Sequence, residues 1–336
     1  MNNAKNLKIK QIDKKNISFK ELSLIKNMIF WVDIIPDDQT NKNAIFAKPF
    51  NDKNAIPQKL TGDNFYIKSN FHGYGGKSYQ CIEVNDQIYL IWVDQLSKAM
   101  WLQILRVQEK VPKNDNEYLL CDMEPIQLTE SKKTNFDTSF VISKNNLLYG
   151  LCEIKHRDYL FSLNLKKTKQ EIRIIKKFDN FAGNLSSNIS ANLFSWTEWS
   201  SDSMPWERNE LFFAIIDNDG EIQKIKKFSN KLVNEEKNVS FFQPYWISEN
   251  ILVCSEDSTG WWNLLFLDVT DITNIILKKR IIKPLTEYGS PQWVSGISFF
   301  SGNIKNLFCV AKKDNSWVLE YYQNCECIKE LKIPFC

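Results

Sequence analysis

The chain has 336 residues, and 43 lysines and arginines against 40 acidic residues leave a net charge of +3. This near balance argues against a protein specialised for nucleic acids or other polyanions. Hydrophobic residues make up 43% of the chain and aromatic residues 13%, which excludes a disordered protein because so much apolar area can be buried. The length fits one large domain or two ordinary ones.

The N-terminal residues contain no apolar segment of signal-peptide length, and no stretch approaches the roughly 18 apolar residues of a membrane span. Eight cysteines are scattered through apolar runs, and the one close pair, Cys325 and Cys327, has no second pair to face it. We therefore expect reduced, buried thiols, no metal, no cofactor, no membrane contact and a cytoplasmic location.

Short runs of β-branched and aromatic residues, bounded by Asn, Asp, Gly and Ser, dominate the chain. This pattern is typical of strands, and no amphipathic helix longer than about three turns is indicated. An apolar strand, a polar turn and a second strand opening with an aromatic residue then recur. The six hairpins of this kind are 29–32 with 44–46, 89–92 with 101–105, 148–151 with 159–163, 193–196 with 210–212, 252–254 with 261–264, and 308–310 with 317–319.

The hairpins follow one another at intervals of roughly 45 to 60 residues, which suits four-stranded propeller blades with long loops. We predict an all-β fold, a β-propeller of seven four-stranded blades, with the seventh blade supplied by the termini or by residues 170–190. A sandwich or barrel would show turns every 8–12 residues or so, without this coarser repeat. Residues 1–24 are expected to form an N-terminal segment, and residues 25–336 the propeller.

Catalytic and ligand-binding motifs are incomplete. The nearest match to the Gly-x-Ser-x-Gly nucleophile turn, at residues 296–300, lacks the last glycine, and only His72 and His156 are available for a triad. Residues 73–76 lack the spacing of a dinucleotide loop, and residues 217–220 begin like a calcium loop but lack its distal Glu. The sequence therefore predicts no catalytic and no metal-binding residue.

Three loops rich in aromatic and polar residues stand out, at 69–76, 196–207 and 255–263. The first holds three glycines, which permit positive φ and close approach of the backbone. The loops fit best as turns and aromatic corners between strands, and the alternative is a surface for a ligand or second domain at one end of the propeller. The candidate substrate- or partner-facing residues are His72, Tyr74, Gly75, Gly76, Met204, Pro205, Trp206, Trp261 and Trp262.

Five stretches carry a resemblance to a known family. They are, in chain order, His72–Gly76, Trp196–Glu207 with Glu210 and Leu211, Gln243–Trp246, Asp257–Leu264 and Gly289–Val294. In these stretches the chain resembles the N-terminal β-propeller of the prolyl oligopeptidase family of serine peptidases, in its acylaminoacyl-peptidase and dipeptidyl-aminopeptidase-like branch. Gly73 departs from the family pattern, which has Glu there, and Ser295 replaces Phe.

The resemblance implies a propeller that covers the active site of an α/β-hydrolase domain and admits only short peptides. The chain ends about where that domain would begin, so the resemblance carries over no catalytic residue. We therefore expect a gating and substrate-filtering propeller, whose partners are a hydrolase domain in trans, unless truncation has removed it, and a peptide substrate. The alternatives are a non-catalytic scaffold for protein–protein interaction and the remnant of a truncated peptidase gene. Whether the chain takes part in catalysis stays open.

Overall fold

The computed structural model describes residues 20–35, 42–108, 117–130, 133–143, 145–229, 233 and 238–334. Within these residues the chain forms 27 β-strands and one 3₁₀ turn, Phe71–Gly73. No helix in the described part of the chain is long and apolar enough to cross a membrane. The all-β prediction is confirmed.

The first three sheets use the N-terminal half of the chain. The first contains β1 (Lys20–Ile25), β2 (Met28–Ile34), β3 (Asn43–Pro49) and β4 (Gln58–Lys59). The second contains β5 (Tyr79–Val84), β6 (Gln87–Val93), β7 (Met100–Val107), β8 (Leu119–Cys121) and β9 (Ile126–Gln127). The third contains β10 (Thr134–Phe136), β11 (Val141–Ile142), β12 (Leu147–Ile154), β13 (Arg157–Asn164) and β14 (Arg173–Lys177).

Three further sheets follow the same plan. The fourth contains β15 (Phe181–Ser187), β16 (Leu193–Trp199), β17 (Glu210–Ile216) and β18 (Ile222–Lys227). The fifth contains β19 (Phe241–Trp246), β20 (Ile251–Glu256), β21 (Asn263–Asp268) and β22 (Ile276–Arg280). The sixth contains β23 (Thr286–Glu287), β24 (Phe300–Asn303), β25 (Asn306–Lys313), β26 (Ser316–Gln323) and β27 (Glu326–Ile333).

The described residues form six sheets, so the propeller has six blades and the prediction of seven is wrong. Each of the six predicted hairpins is confirmed as the central antiparallel pair of one sheet. Residues 170–190 do not form a seventh blade, because they divide between β14, which ends the third sheet, and β15, which begins the fourth. At the C-terminus, β27 belongs to the sixth sheet. Most of the predicted segment 1–24 lies outside the described residues.

Apolar clusters fill the spaces between consecutive sheets. Five of them join the first sheet to the second, the second to the third, and so on to the sixth. Trp31, Trp92 and Trp196 are fully buried, as expected for blade cores. A small twisted sheet buries both faces only when it is packed between two neighbours. No corresponding cluster joins the sixth sheet to the first among the described residues.

Amide side chains also connect neighbouring sheets. Asn209 donates to the Phe241 carbonyl at 2.8 Å and accepts the Phe241 N–H at 2.8 Å. The amide thus copies the hydrogen-bonding pattern of a strand and satisfies backbone groups where two sheets meet. The equivalent pairs elsewhere are Gln58 with Leu119, Gln80 with Phe140, and Gln243 with Phe299 and Phe300.

A central cavity of about 440 Å³ is lined by β5, β11, β15, β19 and β24, or by residues next to them, one from each of five sheets, the second to the sixth. Its wall consists of segments within 77–82, 139–142, 184–189, 243–246 and 296–301. Gly76 pairs with Ser295 as an isolated β-bridge, and the Lys77 N–H donates to the Ser295 carbonyl at 3.1 Å. The segments leading into the second and sixth sheets therefore meet directly, and the first sheet packs beside the second without lining the cavity.

Candidate functional site

All three loops singled out in the sequence lie at one end of the propeller. Successive strands alternate in direction, so the loop that leads into a first strand lies at the same end as the loop that joins a second strand to a third. Residues 60–78 lead into β5, residues 200–209 join β16 to β17, and residues 257–262 join β20 to β21. We call this end the loop end.

A cavity of about 600 Å³ opens at the loop end, and we call it the loop-end pocket. Five aromatic side chains line it: Tyr74, Phe181, Trp199, Trp206 and Trp293. Both histidines of the chain, His72 and His156, also line it. Its other lining residues are Asn70, Gly73, Asn135, Glu153, Ser201, Ser203, Met204, Pro205 and Gln292.

The aromatic rings form two groups on the pocket wall. The Trp206 and Trp293 ring centroids are 4.4 Å apart, and Tyr74 meets Trp293 edge-on at 6.4 Å. Phe181 and Trp199 stack at 5.9 Å. The rim is exposed: Tyr74 retains 68% of its accessible surface, Trp293 55% and Met204 46%. Exposed aromatic and methionine side chains in one place are typical of a binding surface.

His72 is held in place by a buried carboxylate. Its Nε2 lies 2.7 Å from Asp158 Oδ2, and the same oxygen accepts the Ala182 N–H at 2.8 Å. The His72 ring stacks on Phe71 at 3.8 Å, and its backbone has a φ of +51°. A non-glycine residue in this region is uncommon and persists when its surroundings fix it. Asp158 thereby fastens the 69–76 loop to both the third and the fourth sheet.

Glu153 supplies the carboxylate of the pocket wall. Its Oε2 accepts the His72 backbone N–H and the Asn135 side-chain amide, both at 3.2 Å. Its Oε1 lies 3.3 Å from His156 Nδ1. Glu153 and His156 lie at the hairpin end of β12 and in the turn that joins it to β13. These neighbours fix the position of the carboxylate.

The backbone at Gly76 lies very close to the backbone of Ser295. Its φ is +136°, and a Cβ there would lie 2.5 to 2.7 Å from the side chain and backbone of Ser295. Ser295 Oγ in turn donates to Asp137 Oδ1 at 2.7 Å. Burial raises the pKa of the Asp137 carboxyl above its ordinary value. Because Gly76 has no side chain, the segment that carries Trp293 can pack directly against the 69–76 loop.

The structure brings together five of the nine candidate residues, because His72, Tyr74, Met204, Pro205 and Trp206 all line the loop-end pocket. Gly75 lies beneath them in a small adjoining cavity, and Gly76 forms the contact with Ser295. Trp262 is buried, packed on Gly289 and Phe242, and Trp261 is half-buried; neither lines the pocket. A substrate- or partner-facing role for the nine residues remains a prediction.

Sequence reasoning missed several pocket residues. Trp199 and Trp293 stand within the stretches that carry the family resemblance, so their motifs could have suggested them. Glu153 and His156 stand in an ordinary hairpin, and only the fold brings them to the pocket. No group of three or more His, Cys, Asp or Glu side chains that could hold a metal ion occurs in the described part of the chain.

Comparisons with solved structures identify the fold. The chain matches a puromycin-hydrolyzing peptidase from Mycobacterium tuberculosis with a TM-score of 0.74 and 14% identity, over 95% of this chain and 47% of that one. A puromycin hydrolase matches equally well, with a TM-score of 0.74 and 14% identity over 94% of this chain and 47% of that one. Prolyl oligopeptidase B from Galerina marginata matches with a TM-score of 0.58 and 10% identity, over 95% of this chain and 43% of that one.

The chain has the fold of a peptidase propeller. It spans about half the length of the peptidases it matches. The resemblance drawn from the sequence motifs is confirmed at the level of the fold, and no α/β-hydrolase fold occurs among the described residues. No protein-family model and no curated protein matches the sequence.

Proposed function

We propose that this chain is the propeller portion of a prolyl oligopeptidase-type serine peptidase that acts on short peptides in the cytoplasm, with the hydrolase domain supplied in trans. The observation that carries the proposal is the loop-end pocket, where exposed Tyr74, Met204 and Trp293 surround a cavity in a fold like that of peptidase propellers. Exposed apolar side chains at one end of the ring are what a docking face for a second domain requires.

The role of such a propeller is exclusion. The central cavity of about 440 Å³ and the loop-end pocket of about 600 Å³ have the volumes of small-ligand sites. A few residues of extended peptide fit such spaces, whereas a folded protein does not. The ring thus restricts a hydrolase seated on the loop end to short peptides.

The test is to purify the chain from its native cell and to assay the preparation for hydrolysis of a short aminoacyl peptide and of a folded protein. We expect the short peptide to be cleaved and the folded protein to be spared, and we expect the hydrolase freed from the propeller to lose this discrimination. A preparation with no peptidase activity would contradict the proposal and favour an interaction scaffold.

A matched pair of variants assigns the docking face. Met204→Ala removes an exposed side chain from the rim, whereas Phe50→Ala removes one of comparable exposure from the turn that follows β3, at the opposite end. We expect less hydrolase activity to co-purify with Met204→Ala than with the wild type. The activity that co-purifies with Phe50→Ala should equal that of the wild type. Equal activity in the two would contradict docking at the loop end.

A further inference from the structure

The central cavity has a single charged side chain on its wall. Among the described residues that line it, Lys77 is the one lysine, and there is no arginine, histidine, aspartate or glutamate. The rest of the wall consists of apolar side chains and of the hydroxyl and amide groups of serine, asparagine, glutamine and tyrosine residues. A lone positive charge in a confined and otherwise uncharged passage attracts anions and repels cations.

Lys77 is held at the loop end of the cavity. It lies in the segment that leads into β5, and its N–H donates to the Ser295 carbonyl at 3.1 Å. Its side chain packs against Gly296, where a Cβ would lie 2.5 Å from Lys77 Cβ and 3.3 Å from Lys77 Cγ and Cδ. The neighbouring segment thus fixes the first part of the lysine side chain, which lowers the entropy lost when the ammonium binds a ligand.

The Lys77 ammonium has no counter-charge in direct contact. Among the described residues, its Nζ forms no ion pair and no hydrogen bond. Two carboxylates act on it from a distance and do not line the cavity: Asp137, which accepts a hydrogen bond from Ser295 Oγ, and Glu21, which accepts the Ser78 N–H. Burial lowers the pKa of the ammonium below its ordinary value, and the charge of Asp137 opposes that effect. An anion in the cavity would supply the missing contact.

We propose that the central cavity binds the carboxylate of a peptide at Lys77, either the carboxyl terminus or an aspartate or glutamate side chain. This inference rests on the proposed function for the peptide nature of the ligand. The ring then sorts peptides by charge as well as by size, because an acidic peptide is retained at the loop end of the cavity and a basic one is repelled.

The test is titration calorimetry of the full chain at neutral pH with three N-acetylated tripeptides. One is an amide with a central glutamate, one is an amide with a central glutamine, and the last has a central glutamine and a free carboxyl terminus. We expect at least one of the two anionic peptides to bind about tenfold more tightly than the neutral amide, because hydrogen bonds between charged groups are the stronger ones. The two anionic peptides decide whether the side chain or the terminus is the ligand.

Variants tie the binding to the cavity. Lys77→Met keeps the stem that packs on Gly296 and removes the charge, and we expect it to abolish the preference for the anionic peptide. Lys68→Met removes an exposed lysine from the same segment, outside the cavity, and is the matched control with unchanged affinities.

Ser301→Asp is an independent test that leaves Lys77 in place. Ser301 is exposed on the cavity wall, so the substitution should be tolerated. A carboxylate there should weaken the anionic peptide about tenfold by repulsion and leave the neutral amide unchanged. Thermal unfolding checks that each variant is folded.

Three results would overturn the inference: no preference for either anionic peptide, including no binding of any peptide; an undiminished preference in Lys77→Met or an equal loss in Lys68→Met; and unchanged binding of the anionic peptide in Ser301→Asp. Because these titrations contain no hydrolase, their failure leaves the purification test of the proposed function intact. Conversely, charge-selective binding by a chain that carries no peptidase activity would uphold the anion site and reject the peptidase role.

Discussion

The interfaces between sheets and the loop-end pocket use the same kinds of side chain for different ends. Between sheets, amides such as Gln80 and Asn209 are engaged by the backbone of the neighbouring sheet, and Trp92 and Trp196 are fully buried. At the loop end, Trp293 and Tyr74 are mostly exposed, and the Glu153 carboxylate faces a cavity. Side chains at the interfaces hold the ring together, whereas those at the loop end line an open pocket.

One face of the sixth sheet is not packed against another sheet among the described residues. Its outward face carries Phe308, stacked on Tyr321, and Leu331, and both Phe308 and Leu331 are exposed. The other face of the same sheet is buried against the fifth, with Cys309, Val318 and Tyr322 in the shared cluster. Exposed apolar groups therefore occur in two places, and the variants below separate those that serve the ring from those that serve the pocket.

The largest effect on stability is expected from Gly76→Ala. The new Cβ meets Ser295 at 2.5 Å, and the φ of +136° is one that alanine rarely adopts, so the free energy of unfolding should fall by about 3 kcal/mol or more. Gly73→Ala is the control, because its φ of +76° is unfavourable but its Cβ points into open space. It should cost about 1 kcal/mol. Urea unfolding measures the free energy of unfolding of both variants. Equal decreases in the two would contradict the close contact between Gly76 and Ser295.

Glu320 joins β26 of the sixth sheet to the segment around β23 through a buried network, and its removal should come next. It accepts hydrogen bonds from Lys283 at 2.7 Å, Tyr288 at 2.6 Å and Tyr322 at 2.7 Å. Burial alone would raise the pKa of Glu320, but these bonds lower it below its ordinary value. Glu320→Gln should lower the unfolding free energy at pH 7 by about 2 kcal/mol, since bonds to a charged group are lost.

The pH dependence of this effect follows from the lowered pKa. The folded state favours ionised Glu320, so its stabilisation is present above the ordinary pKa of a glutamate and is lost as the pH falls through the lower, folded-state pKa. The difference in unfolding free energy between wild type and Glu320→Gln should therefore shrink in acid. A difference that stays constant from pH 7 to pH 3 would contradict this account.

Gln80→Ala tests an interface without touching the pocket. The substitution removes the amide that donates to the Phe140 carbonyl at 2.9 Å and accepts its N–H at 2.6 Å. We expect the unfolding free energy to fall by about 1.5 kcal/mol because backbone groups are left unpaired, and we expect unchanged co-purification of hydrolase activity. Gln323→Ala, at an exposed position on β26, should change neither quantity. Reduced co-purification of hydrolase activity with Gln80→Ala would show that the interfaces and the pocket are not separable.

Trp206→Ala should affect the pocket and leave the interfaces between sheets intact, the reverse of Gln80→Ala. We expect it to cause a small loss of stability. Trp206 is half-buried and packs beside Trp293 on the pocket wall, so its loss should cost about 1 kcal/mol of unfolding free energy. The hydrolase activity that co-purifies with the chain should nevertheless fall. Thermal unfolding and a peptidase assay of the same preparation measure the two effects, and a large loss of stability with intact peptidase activity would assign Trp206 to the core.

The sequence pattern predicted the strands better than their grouping. Alternation and aromatic spacing located all six central hairpins, because each is a continuous stretch with its own turn. The same pattern could not show that residues 173–177 end one sheet and residues 181–187 begin another, since both read as edge-like strands. One of the two segments predicted to supply a seventh blade, residues 170–190, came from that ambiguity.

The site was predictable only where it is local in sequence. The glycines and aromatic residues of 69–76 and 204–206 indicated the loop end, because such residues mark close approaches and surfaces. Glu153 and His156 come from a β-hairpin of the third sheet, and Trp293 from a segment between β23 and β24. These residues come together because the sheets are arranged around a common axis. The spacing of residues along the sequence gives no information about that arrangement.

The most direct test of the central claim uses a fluorophosphonate probe, which labels the nucleophile of serine hydrolases. The chain, purified from its native cell as wild type, as Trp206→Ala and as Phe50→Ala, is labelled and analysed by size-exclusion chromatography. We predict a labelled polypeptide that elutes with the wild type and with Phe50→Ala and is depleted with Trp206→Ala. A wild-type chain that elutes without any labelled polypeptide would contradict the account.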